Sequence, residues 1–216
     1  GLAVAEGLIL PRLSFGQSAN GKLQLAAIGV GGKGRSNLSS FASSGKVDVV
    51  ALCDTDEKRL NPAAEEFKNA RTYFDWRELL DKEAENIDAV CVSTPDHMHA
   101  PIAYSAIMMG KHCFCEKPLT QQIYEARQLR LAAEQTGVVT QMGNQIHSHA
   151  SYRNAVQMLH DGVLGKVKEW HSWITNSYGG EGMAQPPGED PIPEGLHWDL
   201  WLGVAPERPF KEGLYH

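Results

Sequence analysis

No run of basic residues occurs in this 216-residue chain, whose formal charge is −6. Lysine and arginine are scattered, so no electrostatic footprint for nucleic acid is present. No apolar stretch reaches the ~20 residues of a membrane-spanning helix. Cysteine is sparse: Cys53, Cys91, Cys113 and Cys115 each fall inside an apolar, strand-like run. They read as free, buried and reduced. Cys113 and Cys115 alternate onto one strand face, but no second pair completes a zinc set, and no metal site is expected. Internal repeats are absent.

An initiating methionine is also missing. The chain opens at Gly1 and reads as processed or cut. Residues 1–21 are expected to be either the tail of an export signal, with periplasmic location, or an N-terminal arm that packs on a partner, with cytoplasmic location. The basic start of a signal, which would decide between them, is not in the sequence.

Present in their place is a regular alternation of strand and helix patterns from Leu23 to Met142. Strand candidates are Leu23–Ile28, Val47–Cys53, Thr72–Phe74, Ile87–Ser93, Lys111–Cys115 and Val138–Met142. Between them lie helical stripes: Leu38, Phe41 and Ala42, stopped by Gly45; Leu60, Ala64 and Phe67; Trp76, Leu79 and Leu80, after an Asp75/Glu78 pair at capping-box spacing; Ile102, Ala106 and Met109, after Pro101 and before Gly110; and Ile123, Ala126, Leu129 and Ala133, ended by Gly137. This order predicts an α/β fold, a doubly wound parallel sheet with helices on both faces. After Gly143 the pattern changes. Tyr152–Leu159 reads as a helix with Val156 and Leu159 inward, and Val167–Ser177 as a long strand with Trp170 and Trp173. Residues 179–193 read as a loop, and Trp198, Leu200, Trp201 and Leu202 as an apolar patch. The expected organisation is an arm (1–21), a Rossmann domain (22–145) and the incomplete start of a second α/β domain with an open antiparallel sheet (146–216).

Two motifs carry chemistry. Gly29-Val30-Gly31-Gly32-Lys33-Gly34 follows the first strand candidate and opens a helix. Gly29 permits a tight turn, Gly31 lets backbone approach a pyrophosphate, and Gly34 lets helix and strand pack closely. N–H groups at a helix start favour that anion, the dipole itself adding only about 0.3–1 kcal/mol. The second strand candidate ends at Asp54, twenty positions after Gly34, near the spacing for a ribose contact. A carboxylate there accepts from both ribose hydroxyls and repels a 2′-phosphate, which favours NAD, with NADP the alternative. Asp54 or Asp56 could instead cap the helix that starts near Glu57; Asp54 on ribose and Asp56 as cap is a consistent division. The second motif, Cys115-Glu116-Lys117-Pro118, sits at the end of the fifth strand candidate.

These motifs, with Ser93-Thr94-Pro95-Asp96-His97-Met98-His99 after the fourth strand candidate, resemble the Gfo/Idh/MocA oxidoreductases, over about Lys22–Gly165. The Glu-Lys-Pro element is the most specific part. The resemblance implies an NAD(P)-dependent oxidoreductase that acts on CH–OH groups of a sugar, inositol or related polyol, and a homo-oligomer at full length. It implies that Lys117 is catalytic, binding the reacting oxygen and helping to move its proton. It implies cofactor contacts from Gly29, Gly31, Gly32, Gly34, Asp54, Thr94, Pro95, His99 and Glu116, and substrate contacts from Asn144 and Gln145. His99 would lie in the loop that covers the dinucleotide. His147 and His149 are within chain reach of the substrate without any spacing that demands it. The family's further acid/base pair is not found; His197-Trp198-Asp199 is the nearest candidate, in a segment that reads as packing. If the chain were complete, cofactor binding would survive more readily than turnover. Two alternatives stay open: an NAD-dependent glycoside hydrolase working by transient oxidation, and a non-catalytic dinucleotide-binding protein.

Overall fold

A computed structural model describes residues 21–173 and 188–214. Six strands form one parallel sheet: β1 (Leu23–Ile28), β2 (Val47–Cys53), β3 (Arg71–Tyr73), β4 (Ala89–Val92), β5 (His112–Glu116) and β6 (Thr140–Gly143). Their order is β3-β2-β1-β4-β5-β6, so the chain reverses direction across the sheet between β1 and β4. That reversal is the switch point at which doubly wound sheets bind ligands.

The two sheet faces follow from the period-2 alternation of the strands. Leu25, Ala27, Leu52 and Cys91 point into one core with Leu38, Leu60 and Ala63 from α1 (Gly32–Ser43) and α2 (Glu57–Glu66). Ala26, Ile28, Val90 and Val92 point into the other. There they meet Leu79, Ile102, Ala106 and Leu129 from α3 (Trp76–Glu83), α4 (His99–Met108) and α5 (Ile123–Thr136). All four cysteines are free and buried. Burial pushes the Cys91 and Cys113 thiols up to about 12 and raises Cys53 and Cys115 as well. They are core side chains in their protonated form.

Local signals set the helix ends. Asp56 caps α2 by accepting from Lys58 N–H at 2.9 Å. Asp75 caps α3 by accepting from Arg77 N–H at 2.9 Å. Glu78 does not complete a capping box there; it pairs with Lys82 one turn on. Gly137 ends α5 at φ 70°, a left-handed conformation that suits glycine.

Beyond β6 the outcomes diverge from the pattern. Helix α6 (Ala150–His160) forms, but none of its residues is buried, Val156 and Leu159 included. Val167–Trp173 forms no strand, and Trp170 and Trp173 are exposed. The rest of that expected strand and most of the expected loop fall outside the described residues, as does the N-terminal arm. Alternating apolar residues make a strand only where a neighbouring strand accepts their backbone hydrogen bonds, and none does so here among the described residues. Residues 188–214 instead fold into a strap. Its short helix α7 (Trp198–Leu202) buries Trp198 and Leu202 against Phe210.

Candidate active site

The glycine turn is built by close approach. Gly29 ends β1 at φ 81°, and a Cβ there would stand 2.6 Å from the Ser93 carbonyl group. A Cβ on Gly34 would stand 1.9 Å from the Gly29 carbonyl oxygen, so the first turn of α1 lies directly on the strand end. Gly32 opens the helix at φ 47°. Gly31 is its N-cap and offers no side-chain acceptor, which leaves the leading N–H groups of α1 without a side-chain cap. Helix starts of this kind bind anions.

Asp54 braces that turn from β2. Its carboxylate accepts from Val30 N–H at 2.9 Å and from Asp56 N–H at 3.1 Å. Burial raises its pKa, and these backbone donors oppose the shift. Asp54 and Asp56 therefore divide the work: Asp56 caps α2, while Asp54 stays at the cleft. Arg59 crosses from α2 to lie over Gly31, with its Nε 3.5 Å from Asp56.

The opposite rim comes from β4 and β5. Glu116 is 4% exposed. It accepts from the Asn37 amide at 2.8 Å and from Lys117 N–H at 3.2 Å, with the Lys33 ammonium 3.8 Å away. Gly143 leaves room for it: a Cβ there would meet the Glu116 carboxyl at 2.6 Å. Lys117 follows, exposed, at the carboxyl end of β5, and its bond to Pro118 is cis. Register pairs Glu116 with Gly143, so Asn144 and Gln145 leave the sheet beside Lys117. Both are exposed. His99 is buried below this rim, in contact with the Thr94 and Pro118 carbonyl oxygens, rather than spread over the cleft.

A cleft of about 240 Å³ runs along this edge. It brings together Gly29, Gly31, Gly32, Asp54, Thr94 and Pro95. Gly34 lies behind its wall, and Glu116 reaches it through Lys33, which lines it. Lys117, His99, Asn144 and Gln145 are not part of the lining. The lining also includes residues that were not expected at the cofactor: Arg59, Phe74 and, from the strap, Leu200 and Trp201. The apolar patch around Trp198 signalled packing, but nothing local said against what. Asn37 gave no signal, since its partner is far away in sequence.

The residues fit a dinucleotide. The turn presents bare backbone to the cleft at Gly29, Gly31 and Gly32. The Thr94 hydroxyl oxygen is buried at the cleft without a protein hydrogen-bond partner, a donor and acceptor suited to a polar ligand. Among the described residues no group of three or more His, Cys, Asp or Glu could hold a metal ion, and no helix is long and apolar enough to cross a membrane.

Comparison with known proteins agrees with this edge. Residues 23–144, more than half of the chain, match the Gfo/Idh/MocA family, described as an oxidoreductase family with an NAD-binding Rossmann fold. Glycosyl hydrolase family 109 protein 1 from Shewanella sp. (strain MR-4) is 30% identical over 170 residues, 74% of this chain and 35% of the hydrolase. Among solved structures, myo-inositol 2-dehydrogenase from Lactobacillus plantarum superposes with a TM-score of 0.63 at 28% identity, covering 68% of this chain and 43% of the dehydrogenase. GenD2 from gentamicin A biosynthesis, solved in complex with NAD, superposes with a TM-score of 0.61 at 30% identity, covering 66% of this chain and 40% of its own. The chain thus spans about a third of the length of the curated relatives it matches. With its glycine turn, acidic second strand end and Glu-Lys-Pro rim in one sheet edge, the chain belongs to the Gfo/Idh/MocA oxidoreductases and carries their NAD-binding Rossmann fold.

Proposed function

We propose that this chain supplies the cofactor half, and the reactive lysine, of an NAD-dependent oxidoreductase that acts on a sugar, inositol or related polyol. The observation that carries the reading is the position of Lys117 at the end of β5, one strand from the switch point and next to the Asn144–Gln145 segment. Residues 22–145 hold the dinucleotide, and residues 146–216 begin the substrate domain.

NAD, when bound, supplies the acceptor for a hydride from the substrate carbon. The chain's own residues do the rest. The free N–H groups at the start of α1 and the bare backbone of Gly31 receive the pyrophosphate. Asp54 keeps the turn closed and presents its remaining lone pairs to a ribose. Glu116, buried and held by Asn37, fixes the rim so that Lys117 leaves the strand in one direction. The Lys117 side-chain nitrogen stands at the reacting oxygen: as free amine it accepts the hydroxyl proton while hydride leaves the carbon, and as the ammonium so formed it donates to the carbonyl oxygen. Asn144 and Gln145 stand where they can bind neighbouring hydroxyls. Gly29, Gly32, Gly34, Thr94, Pro95 and His99 shape or support the cleft.

Lys117→Ala tests this assignment. Turnover on a polyol panel should disappear, whereas NAD affinity by calorimetry should change by less than about threefold. A large loss of NAD binding would remove Lys117 from the reacting end.

A second reading has support of its own, because the similar curated proteins include glycosyl hydrolase family 109 proteins. In that reading the same lysine assists a transient oxidation during glycoside cleavage. Sugar release without net NADH formation favours the hydrolase; net NADH from a free polyol favours the dehydrogenase.

A further inference from the structure

The strap returns to the nucleotide edge and is tied there by backbone. Leu196 forms an antiparallel bridge with Asp56. Glu57 N–H donates to the Gly195 carbonyl at 2.9 Å, and His197 N–H donates to the Thr55 carbonyl at 2.9 Å. These contacts fall on the loop directly after Asp54. On the other side, His97 Nε2 lies 2.9 Å from the Trp201 carbonyl oxygen, in the segment after β4. The strap therefore bridges the β2 and β4 loops across the cleft mouth.

Two glycines make the docking possible. A Cβ on Gly203, the residue after α7, would collide with the Met98 sulfur at 2.2 Å. A Cβ on Gly195 would sit 3.1 Å from that of Glu57. The aromatic rings are then held in place. Trp201 stacks on Trp198 with centroids 4.8 Å apart and an interplanar angle of 15°. His97 lies 5.4 Å from it, and His197 packs on Phe74 at 4.2 Å. Trp198 is fixed in turn by its indole N–H, which donates to the Arg208 carbonyl at 2.9 Å.

The position of the cleft identifies which part of a ligand this strap meets. Its walls come from the ends of β1, β2 and β4 and from Phe74 after β3, together with Leu200 and Trp201. Lys117, at the end of β5, is outside it. In a doubly wound nucleotide fold the acidic residue at the end of β2 marks the adenosine ribose. We propose that Leu200 and Trp201 form the wall for the adenosine half of the dinucleotide, so that a segment beyond the Rossmann unit takes part in cofactor binding. This rests on the reading of the cleft as a dinucleotide site. An indole held by stacking on one face is a preorganised platform for a base or its ribose.

Tryptophan emission of the full chain, titrated with AMP, tests the wall. Trp76 also lines the cleft, so the titration is done in a Trp76→Phe background. AMP should change the emission, and Trp201→Phe should abolish that change while AMP affinity by calorimetry stays within about threefold. Trp201→Ala should weaken AMP and NAD by the same factor, at least about fivefold for a lost base-stacking partner. Nicotinamide mononucleotide, which lacks the adenosine, should bind both proteins equally. An AMP-dependent signal that persists in Trp201→Phe, or unchanged AMP affinity in Trp201→Ala, overturns the wall and leaves the cleft standing. If the unsubstituted chain binds neither NAD nor AMP, the dinucleotide reading falls and the wall falls with it.

Discussion

The Nδ1 atom of His99 lies 2.6 Å from the carbonyl oxygen of Pro118, while its Nε2 lies 2.9 Å from that of Thr94. One side chain, 1% exposed, thereby spans the loop that borders the cleft and the loop that carries Lys117.

Removing this clamp should be costly. His99→Ala removes the ring N–H from which one of these carbonyl oxygens accepts and opens a cavity at the first turn of α4. The expected loss is about 2–4 kcal/mol, from an unmet buried polar group plus lost packing. His99→Gln, whose amide still donates, should recover part of it. Urea denaturation reads both, and equal midpoints for His99→Ala and the unsubstituted chain would contradict the clamp.

The glycines of the turn should not respond alike. A methyl at Gly34 meets the Gly29 carbonyl, which is backbone and cannot swing away. Gly34→Ala should lose at least about 3 kcal/mol or fail to fold, because overpacking here must move β1 or α1. A methyl at Gly31 meets the Arg59 side chain at 2.5 Å, which can rotate. Gly31→Ala should keep stability within about 1 kcal/mol and lose NAD affinity, since the methyl occupies the cradle. Thermal melts with and without NAD separate the two. Equal stability losses in the two variants would contradict the assigned geometry.

Acid stability should depend on Glu83. Its buried carboxylate accepts from the Arg71 guanidinium, from the Tyr73 hydroxyl at 2.5 Å and from the Asn86 amide at 3.1 Å. The Arg71 contact is the largest cause that holds Glu83 below the usual carboxylate range, against the upward pull of burial. A depressed folded pKa gives stability that is fully present above the unfolded value of ~4.3 and is lost as pH falls through the lower folded value. Glu83→Gln should therefore cost about 1–2 kcal/mol at neutral pH, a figure reduced because Arg71 is half exposed. It should also flatten the acid limb of the stability curve. An unchanged acid limb in denaturation measured from pH 6 down to pH 3 would show that Glu83 does not carry it.

Much of the fold is legible in the chain because its signals are local. Leu25 and Ala27 against Ala26 and Ile28 assign two sheet faces from neighbouring residues alone. Gly29, Gly31, Gly34 and Asp54 declare themselves by spacing, and Asp56 and Gly137 mark helix ends through contacts a few positions away. The rest depended on partners distant in sequence. Asn37 reads as an ordinary helix residue until α1 and β5 come together and Glu116 meets it. Val167–Trp173 has a strand's alternation and, among the described residues, no strand beside it. Trp201 looks like core in sequence, and only the return of the strap to the Thr55–Glu57 loop sets it at the cleft.

The sequence by itself determined the order of strands and helices, the sharp turn after β1 and the lysine at the end of β5, because propensity, side-chain periodicity and glycine geometry act over a few residues. Tertiary structure alone decided which polar groups became buried pairs, which loop His99 holds to which, and what closes the adenosine side. Those outcomes come from non-local packing, where burial and hydrogen-bond satisfaction are set by whatever the folded chain brings alongside.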